Sequence, residues 1–155
     1  MAIGIGLCLS IGCAHAQQSR LVGVWSVKSL TVTPANGKPF MPLGDHPIGY
    51  AIFSRGGHIS YLATAATRPN PAQAATDAEA AALFRTLNAY TGTYRLQGRD
   101  RMLVHIDDAW LPSWNGIDQT RTYKITGREL VIKSKNKSPI NGEPTTITAT
   151  LERIE

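Results

Sequence analysis

Apolar and polar residues alternate along most of this chain, and glycine, proline, asparagine and aspartate interrupt the alternation at short intervals. That combination marks strands joined by turns. Residues 21–33 (LVGVWSVKSLTVT) are the first run, broken by Pro34-Ala35-Asn36-Gly37. Ile48 to Ser54 and His58 to Ala65 flank the hairpin turn Arg55-Gly56-Gly57, and Arg68-Pro69-Asn70-Pro71 then breaks the pattern. Ala89 to Gln97 leads through Gly98-Arg99-Asp100 into Arg101 to Trp110, and residues 111–116 (LPSWNG) are a loop. Ile117 to Thr126 turns at Gly127-Arg128 into Glu129 to Lys135. After a loop with Pro139, Gly142 and Pro144, Thr145 to Arg153 is the last strand.

One segment has helical period. Over residues 76–89, Ala80, Leu83, Phe84 and Leu87 share a face, and Thr76 with Glu79 forms the T-x-x-E pattern of a capping box. A helix there would pack on a sheet or plug a barrel end. Eight short strands at regular spacing, with this one inserted helix, predict an all-β, up-and-down antiparallel barrel, which removes the edges such strands would otherwise expose.

Alternation also assigns faces. In the last strand Ile147, Ala149 and Leu151 face inward, opposite Thr146, Thr148 and Thr150. In residues 117–126 the outward set is Asp118, Thr120, Thr122, Lys124 and Thr126, so Ile117, Gln119, Arg121, Tyr123 and Ile125 face inward. A guanidinium inside a barrel is costly unless paired. Either Arg121 meets Asp107 or Asp108 of the preceding strand, or Arg121 and Gln119 await an acidic or carbonyl group of a ligand. The preceding strand admits two registers. One turns His105 inward with Leu103 and Asp107, and the other turns it out. Tyr61, Tyr90, Tyr94 and Tyr123 are candidate cavity-lining residues or plain core, and Trp114 is a lid or a packed cap over the rim.

The chain has 155 residues, enough for one domain, and 43% apolar content with 17% charged residues supports a packed core. No run of 18 or more apolar residues occurs, which excludes a membrane-spanning helix. Residues 1–16 (MAIGIGLCLSIGCAHA) instead read as an export leader, with a short apolar run and an Ala14-His15-Ala16 cleavage signal but no basic start. The domain is then 17–155, periplasmic or secreted. The alternatives are a lipid anchor at Cys13 or a first element of the domain itself. Cys8 and Cys13 are the chain's two cysteines, so the processed domain has no disulfide, thiol nucleophile or thiolate metal site. His46, His58 and His105 stand on separate elements, so no metal is expected, and no G-x-S-x-G elbow is present. No nucleotide or flavin motif points to a cofactor. The net charge is +5, and Lys133, Lys135 and Lys137 alternate on one solvated face. That face suits edge protection. Without interleaved aromatics it does not suggest nucleic-acid binding.

Several motifs, in order, are shared with one family. They are Gly23-Val24-Trp25, Pro42-Leu43-Gly44, Pro47-Ile48-Gly49-Tyr50, Gly57 and Thr76-Asp77-Ala78-Glu79, then Tyr90-Thr91-Gly92-Thr93-Tyr94, Val104-His105, Pro112-Ser113-Trp114, Gln119-Thr120-Arg121 and Arg153. The series resembles the bacterial and fungal lipocalin-like domain family over residues 20–153. The resemblance implies a calycin-type barrel with an internal cavity, closed at one end by Arg153 packed across Trp25. It does not imply one activity, because some barrels of this kind are small-molecule cyclases or isomerases.

Three functions fit. The first is an exported barrel that binds a small, mostly apolar or aromatic ligand with an acidic or carbonyl group, through His105, Gln119 and Arg121. The second is a cofactor-independent isomerase, cyclase or lyase, with His105 as acid–base group and Arg121 and Gln119 as oxyanion partners. The third is a structural module with a filled interior. A cavity above about 300 Å³ with those three residues on its wall favours the first two.

Thermal unfolding of the processed domain is expected to show the same midpoint with and without reductant. A drop of several degrees in reductant would reveal a native bridge, which contributes about 2–4 kcal/mol.

Overall fold

The computed structural model describes residues 20–68, 76–137 and 142–155. The candidate leader and its two cysteines, residues 69–71 of the proline-rich break and Pro139 lie outside the described residues. The elements are β1 (Gly23–Pro34), β2 (Ile48–Phe53), β3 (His58–Thr64), α1 (Asp77–Arg85), β4 (Leu87–Leu96), β5 (Arg101–Ala109), a 3-10 turn (Pro112–Trp114), β6 (Asp118–Thr126), β7 (Glu129–Lys137) and β8 (Pro144–Arg153). Each strand pairs antiparallel with the next, and β8 returns to pair with β1. The result is a closed, eight-stranded, up-and-down barrel.

Closure rests on β1. Its first four residues pair with β2, from Gly23↔Phe53 to Ser26↔Tyr50, and Trp25 to Pro34 pair with β8. A bulge between Val27 and Ser29 lets one strand serve both neighbours. The extra residue, Lys28, shifts the phase of the alternation. Trp25 and Val27 face inward before it and Leu30 after it. Lys28 itself reaches Glu152 on the outside at 2.9 Å.

At the Trp25 end the barrel is packed shut. Trp25 is fully buried, its indole N–H donates to the Leu21 carbonyl at 2.9 Å, and the Arg153 guanidinium lies 4.2 Å from its ring centroid. Arg153 also donates to the backbone carbonyls of Arg20, Val22 and Glu155. Gly23 is glycine because of this crowding: a Cβ there would stand 2.6 Å from Arg153 Nη1 and 2.3 Å from the Glu155 carbonyl. Phe53, Met102, Val104, Ile106, Leu130 and Leu151 fill the barrel above this plug.

The helix is shorter than its sequence period predicts. Thr76 and Glu79 form the expected capping box, and both Thr76 donors hold the Glu79 carboxyl below the usual carboxylate range. The helix ends at Arg85 rather than at 89. Leu87 and Asn88 already pair with Thr64 and Ala63 of β3, because ladder bonds and an inward Asn88 and Tyr90 outweigh local helical period. None of the helix residues is buried. It rests on the rim, with Phe84 6.3 Å from the Trp110 ring, and plugs nothing.

Replacing Arg153 with alanine removes a stacked cation and three backbone bonds. The expected loss is roughly 1–3 kcal/mol in chemical denaturation, with the barrel interior undisturbed. An unchanged midpoint would show that Trp25 alone closes this end.

Candidate functional site

The inward faces of β3, β4 and β6 meet halfway up the barrel. Gln119, Arg121 and Tyr123 are buried on β6 between exposed neighbours, as alternation requires, whereas Ile117, just before the strand, is exposed rather than inward. Arg121 is 6% exposed. Its Nη1 donates to the Tyr90 hydroxyl at 2.5 Å, its Nη2 donates to Gln119 Oε1 at 2.8 Å, and its Cζ lies 4.8 Å from the Tyr90 ring centroid. Tyr90 in turn stacks on Tyr61, its cross-strand partner, with centroids 5.2 Å apart.

No carboxylate among the described residues pairs with this guanidinium. Asp108 accepts instead from the Asn115 amide at 2.9 Å, and Asp107 lies 3.8 Å from His105. Both aspartates are on the outside of the barrel, so the expected internal salt bridge is not formed. The cause is the phase of β5, which turns Asp107 out with His105, and the bulge opposite Thr91 and Gly92, which takes Asp108 out of the inward parity. Met102, Val104 and Ile106 are fully buried, and Arg101, Leu103 and His105 take the other parity.

The same phase corrects the placement of His105. It lies on the outer surface, where Nδ1 is 2.7 Å from Asp118 Oδ1 on the paired strand. Its side chain is 46% exposed. His105 therefore does not join Gln119 and Arg121. The choice of register follows apolar burial: three apolar side chains leave water when Met102, Val104 and Ile106 turn in. Gly92 helps to hold it, since a Cβ there would come 1.9 Å from the His105 carbonyl.

The tyrosines divide by height. Tyr61 and Tyr90 line an interior cavity of about 40 Å³ together with Gln119, Arg121, Asn88 and Ser134. Tyr94 and Tyr123 do not line it. Tyr94 is four residues beyond Tyr90, about 13 Å further along the strand. There it packs edge-on against Phe53 and donates to the Ser54 carbonyl at 2.9 Å. Tyr123 is likewise buried nearer the closed end, and burial, with Asp100 next, raises its pKa.

Three buried polar atoms of residues that line this cavity have no hydrogen-bond partner among the described residues: Arg121 Nε, Tyr61 Oη and Asn88 Oδ1. Burial pushes the Tyr61 hydroxyl well above the ordinary tyrosine range. Tyr90 adds to this and Arg121 opposes it. Tyr61 is therefore a neutral O–H donor at any physiological pH. Arg121, Tyr61 and Asn88 thus border, with other residues, a space the size of a water or a carboxylate group.

Above it lies a second, mostly apolar cavity of about 350 Å³, at the lower end of ligand-pocket sizes. Leu30, Val32, Pro42, Leu43, Leu87 and Trp110 supply much of its wall, and it shares Asn88, Trp114, Asn136 and Ile147 with the small cavity below. Phe40 exchanges backbone bonds with Val32, at 2.8 and 3.0 Å, which folds the chain after β1 over the mouth. Trp114 stands at the junction. Its ring is edge-on to Trp110 at 5.1 Å, and Asn115 anchors the turn by accepting from the Ala109 amide and donating to Asp108. It is a wall residue at the mouth, half covered, and belongs to both cavities. Gln119 and Arg121 thus border a small floor, and the volume above 300 Å³ lies over them and excludes His105.

Asn88, Ser134 and Asn136 complete the polar wall and were not singled out from the sequence. The Lys133, Lys135, Lys137 face carried the signal for two of them, because its opposite parity is Ser134 and Asn136. Asn88 was hidden by the helical period that runs past residue 85.

The lipocalin-like domain model matches residues 22–154, and the chain belongs to that family. No curated protein matches it. Among solved structures, one similar chain is a complex of bovine odorant binding protein with a selenium-containing odorant. The identity is 10% and the TM-score 0.45, over 99% of this chain and 78% of that one.

Since His105 and Asp118 form an exposed pair, His105→Gln is expected to change the unfolding free energy by less than about 1 kcal/mol. A loss of several kcal/mol in chemical denaturation would contradict an outer-surface histidine.

Proposed function

We propose that this barrel binds a small, mostly apolar molecule bearing a carboxylate or a comparable acidic group, with the acid at Arg121 and the apolar body in the upper cavity. One observation carries the reading. Buried Arg121 donates, among the described residues, to a neutral phenol and an amide, with its Nε and the nearby Tyr61 hydroxyl left over. A buried cation without a counter-charge is expensive in the free protein, and an arriving carboxylate offsets that cost. The upper cavity supplies the rest through apolar burial, at about 0.8 kcal/mol per methylene.

The same wall argues against the isomerase or cyclase reading. The lining of the small cavity has no histidine or carboxylate among the described residues, and Glu143 lines only the upper cavity. Tyr61 holds its proton far above neutrality, and His105 faces solvent. Arg121 and Gln119 can orient an oxyanion, but no group beside them exchanges a proton near pH 7. The filled structural module accounts for the lower barrel, yet it leaves the three unpartnered polar atoms and the upper cavity without a role. With the leader read as an export signal, binding takes place in the periplasm or outside the cell.

Decanoate and 1-decanol, titrated by calorimetry, test the reading. Arg121→Met is expected to weaken decanoate by about 10- to 100-fold, the worth of a charged hydrogen-bond set, with little effect on decanol. Because no carboxylate is stranded, the unliganded variant is expected to unfold within about 1 kcal/mol of the parent. Equal losses for the acid and the alcohol, or no loss for either, would remove the acid-binding floor.

A further inference from the structure

The barrel is closed by topology but not along its full height. The β6–β7 ladder starts at Thr126↔Glu129 and stops at Arg121↔Ser134. Beyond that pair, residues 118–120 remain bonded to β5, and residues 135–137 remain bonded to β8. Neither segment is paired with the other. Three residues on each strand span about 10 Å. The strands splay into a slit that runs from the rim of the mouth down to the level of Arg121.

A groove of about 780 Å³ lies over this slit on the outside, walled by Asp118, Thr120, Lys133, Lys135 and Lys137. Gln119, Asn136 and Trp114 line both the groove and the interior cavity. Two amide side chains and one indole therefore stand between bulk water and the guanidinium. The groove's one carboxylate, Asp118, is engaged by His105 at 2.7 Å, which leaves the three lysines as its dominant charge.

We propose that this slit is the track along which the acidic end of the ligand reaches Arg121. The inference rests on the acid-binding reading above and adds a route to it. A carboxylate that descends head-first through the mouth leaves Arg85 and Lys137 behind and must then shed water against the mostly apolar wall of Leu30, Val32, Leu43 and Leu87 before it meets the Asn88 and Asn136 amides. Along the slit the charge stays beside water, lysine ammonium groups and the Gln119 and Asn136 amides, while the apolar body slides into the upper cavity. The slit ends where Arg121 begins, so the head stops against the floor donors. Lysines on an unpaired edge also deter pairing with another chain. The experiment separates that role from a path for the ligand.

Binding of decanoate can be followed by stopped-flow fluorescence of Trp110 and Trp114, with decanol as the neutral comparison. The triple variant Lys133→Gln, Lys135→Gln, Lys137→Gln is expected to slow decanoate association about 10-fold at low ionic strength, to leave dissociation within about twofold, and to leave decanol unaffected. A control triple, Arg55→Gln, Arg95→Gln, Arg99→Gln, removes exposed cations at the closed end of the barrel and is expected to change little. Thr120→Trp, which fills the groove from outside, is expected to slow association and dissociation together at constant affinity. Parent-like association in the lysine variant, equal slowing in the control, or unchanged rates with Thr120→Trp would each overturn the track. If Arg121→Met abolishes acid preference while these variants behave like the parent, the floor stands and the track falls. If Arg121→Met changes nothing, the acid site itself falls, and the track with it.

Discussion

The ladder between the first and last strands is the constraint on which everything else depends. Without the pairing of Trp25 to Pro34 with β8, the eight strands would be an open sheet with two edges and no interior. β1 meets both neighbours because the Lys28 bulge turns it and resets its inward phase. Trp25 and Arg153 sit where the two strands meet. The stack and the bonds of Arg153 to three carbonyls seal the end at which the ladder closes. A sealed, well-packed lower half then allows the upper half to remain hollow.

Within that frame the energetics of the interior are uneven. The lower barrel is mostly apolar side chains in contact, with Tyr94 and Tyr123 among them, the more favourable use of an enclosed space. Midway up, the chain places a guanidinium, a glutamine, an asparagine, a serine and two stacked tyrosines instead. Part of the cost of the cation is offset by Tyr90 and Gln119, through hydrogen bonds and the face of an aromatic ring. None of these partners carries a negative charge. A site that leaves charge uncompensated in the free state gains most from an acidic ligand, and the apolar cavity above selects for a molecule with an apolar body.

The slit between β6 and β7 belongs to the same design. A continuous ladder there would cover Arg121 with a wall of backbone bonds and leave the apolar mouth as the way in. By parting the strands above Arg121↔Ser134, the fold trades ladder hydrogen bonds for contact between its buried polar floor and the outside. Lys135 and Lys137 stand where an unpaired edge most needs charge, and Lys133 lies just inside the ladder.

Much of this architecture was legible in the residues. Period-two alternation with turn residues between the runs placed all eight strands. The polar stretch Gln119-Thr120-Arg121 between Ile117 and Ile125 identified the inward guanidinium, and the Thr76–Glu79 capping box marked the helix start. These features are local: each depends on a side chain, its neighbours one or two positions away, and the pleat. The phase of β5 depended on which of two faces buries more apolar surface against the rest of the barrel, and the three-dimensional core chose Met102, Val104 and Ile106, sending His105 to the surface. The end of the helix was decided by pairing with β3, a partner more than twenty residues away in the chain. Which tyrosines reach the cavity, the missing counter-charge at Arg121 and the parted β6–β7 ladder are likewise relations between strands. Alternation assigns a side chain to a face; its height in the barrel and its partner across the interior follow only from the register and tilt of neighbouring strands, which are set by the closure of the whole.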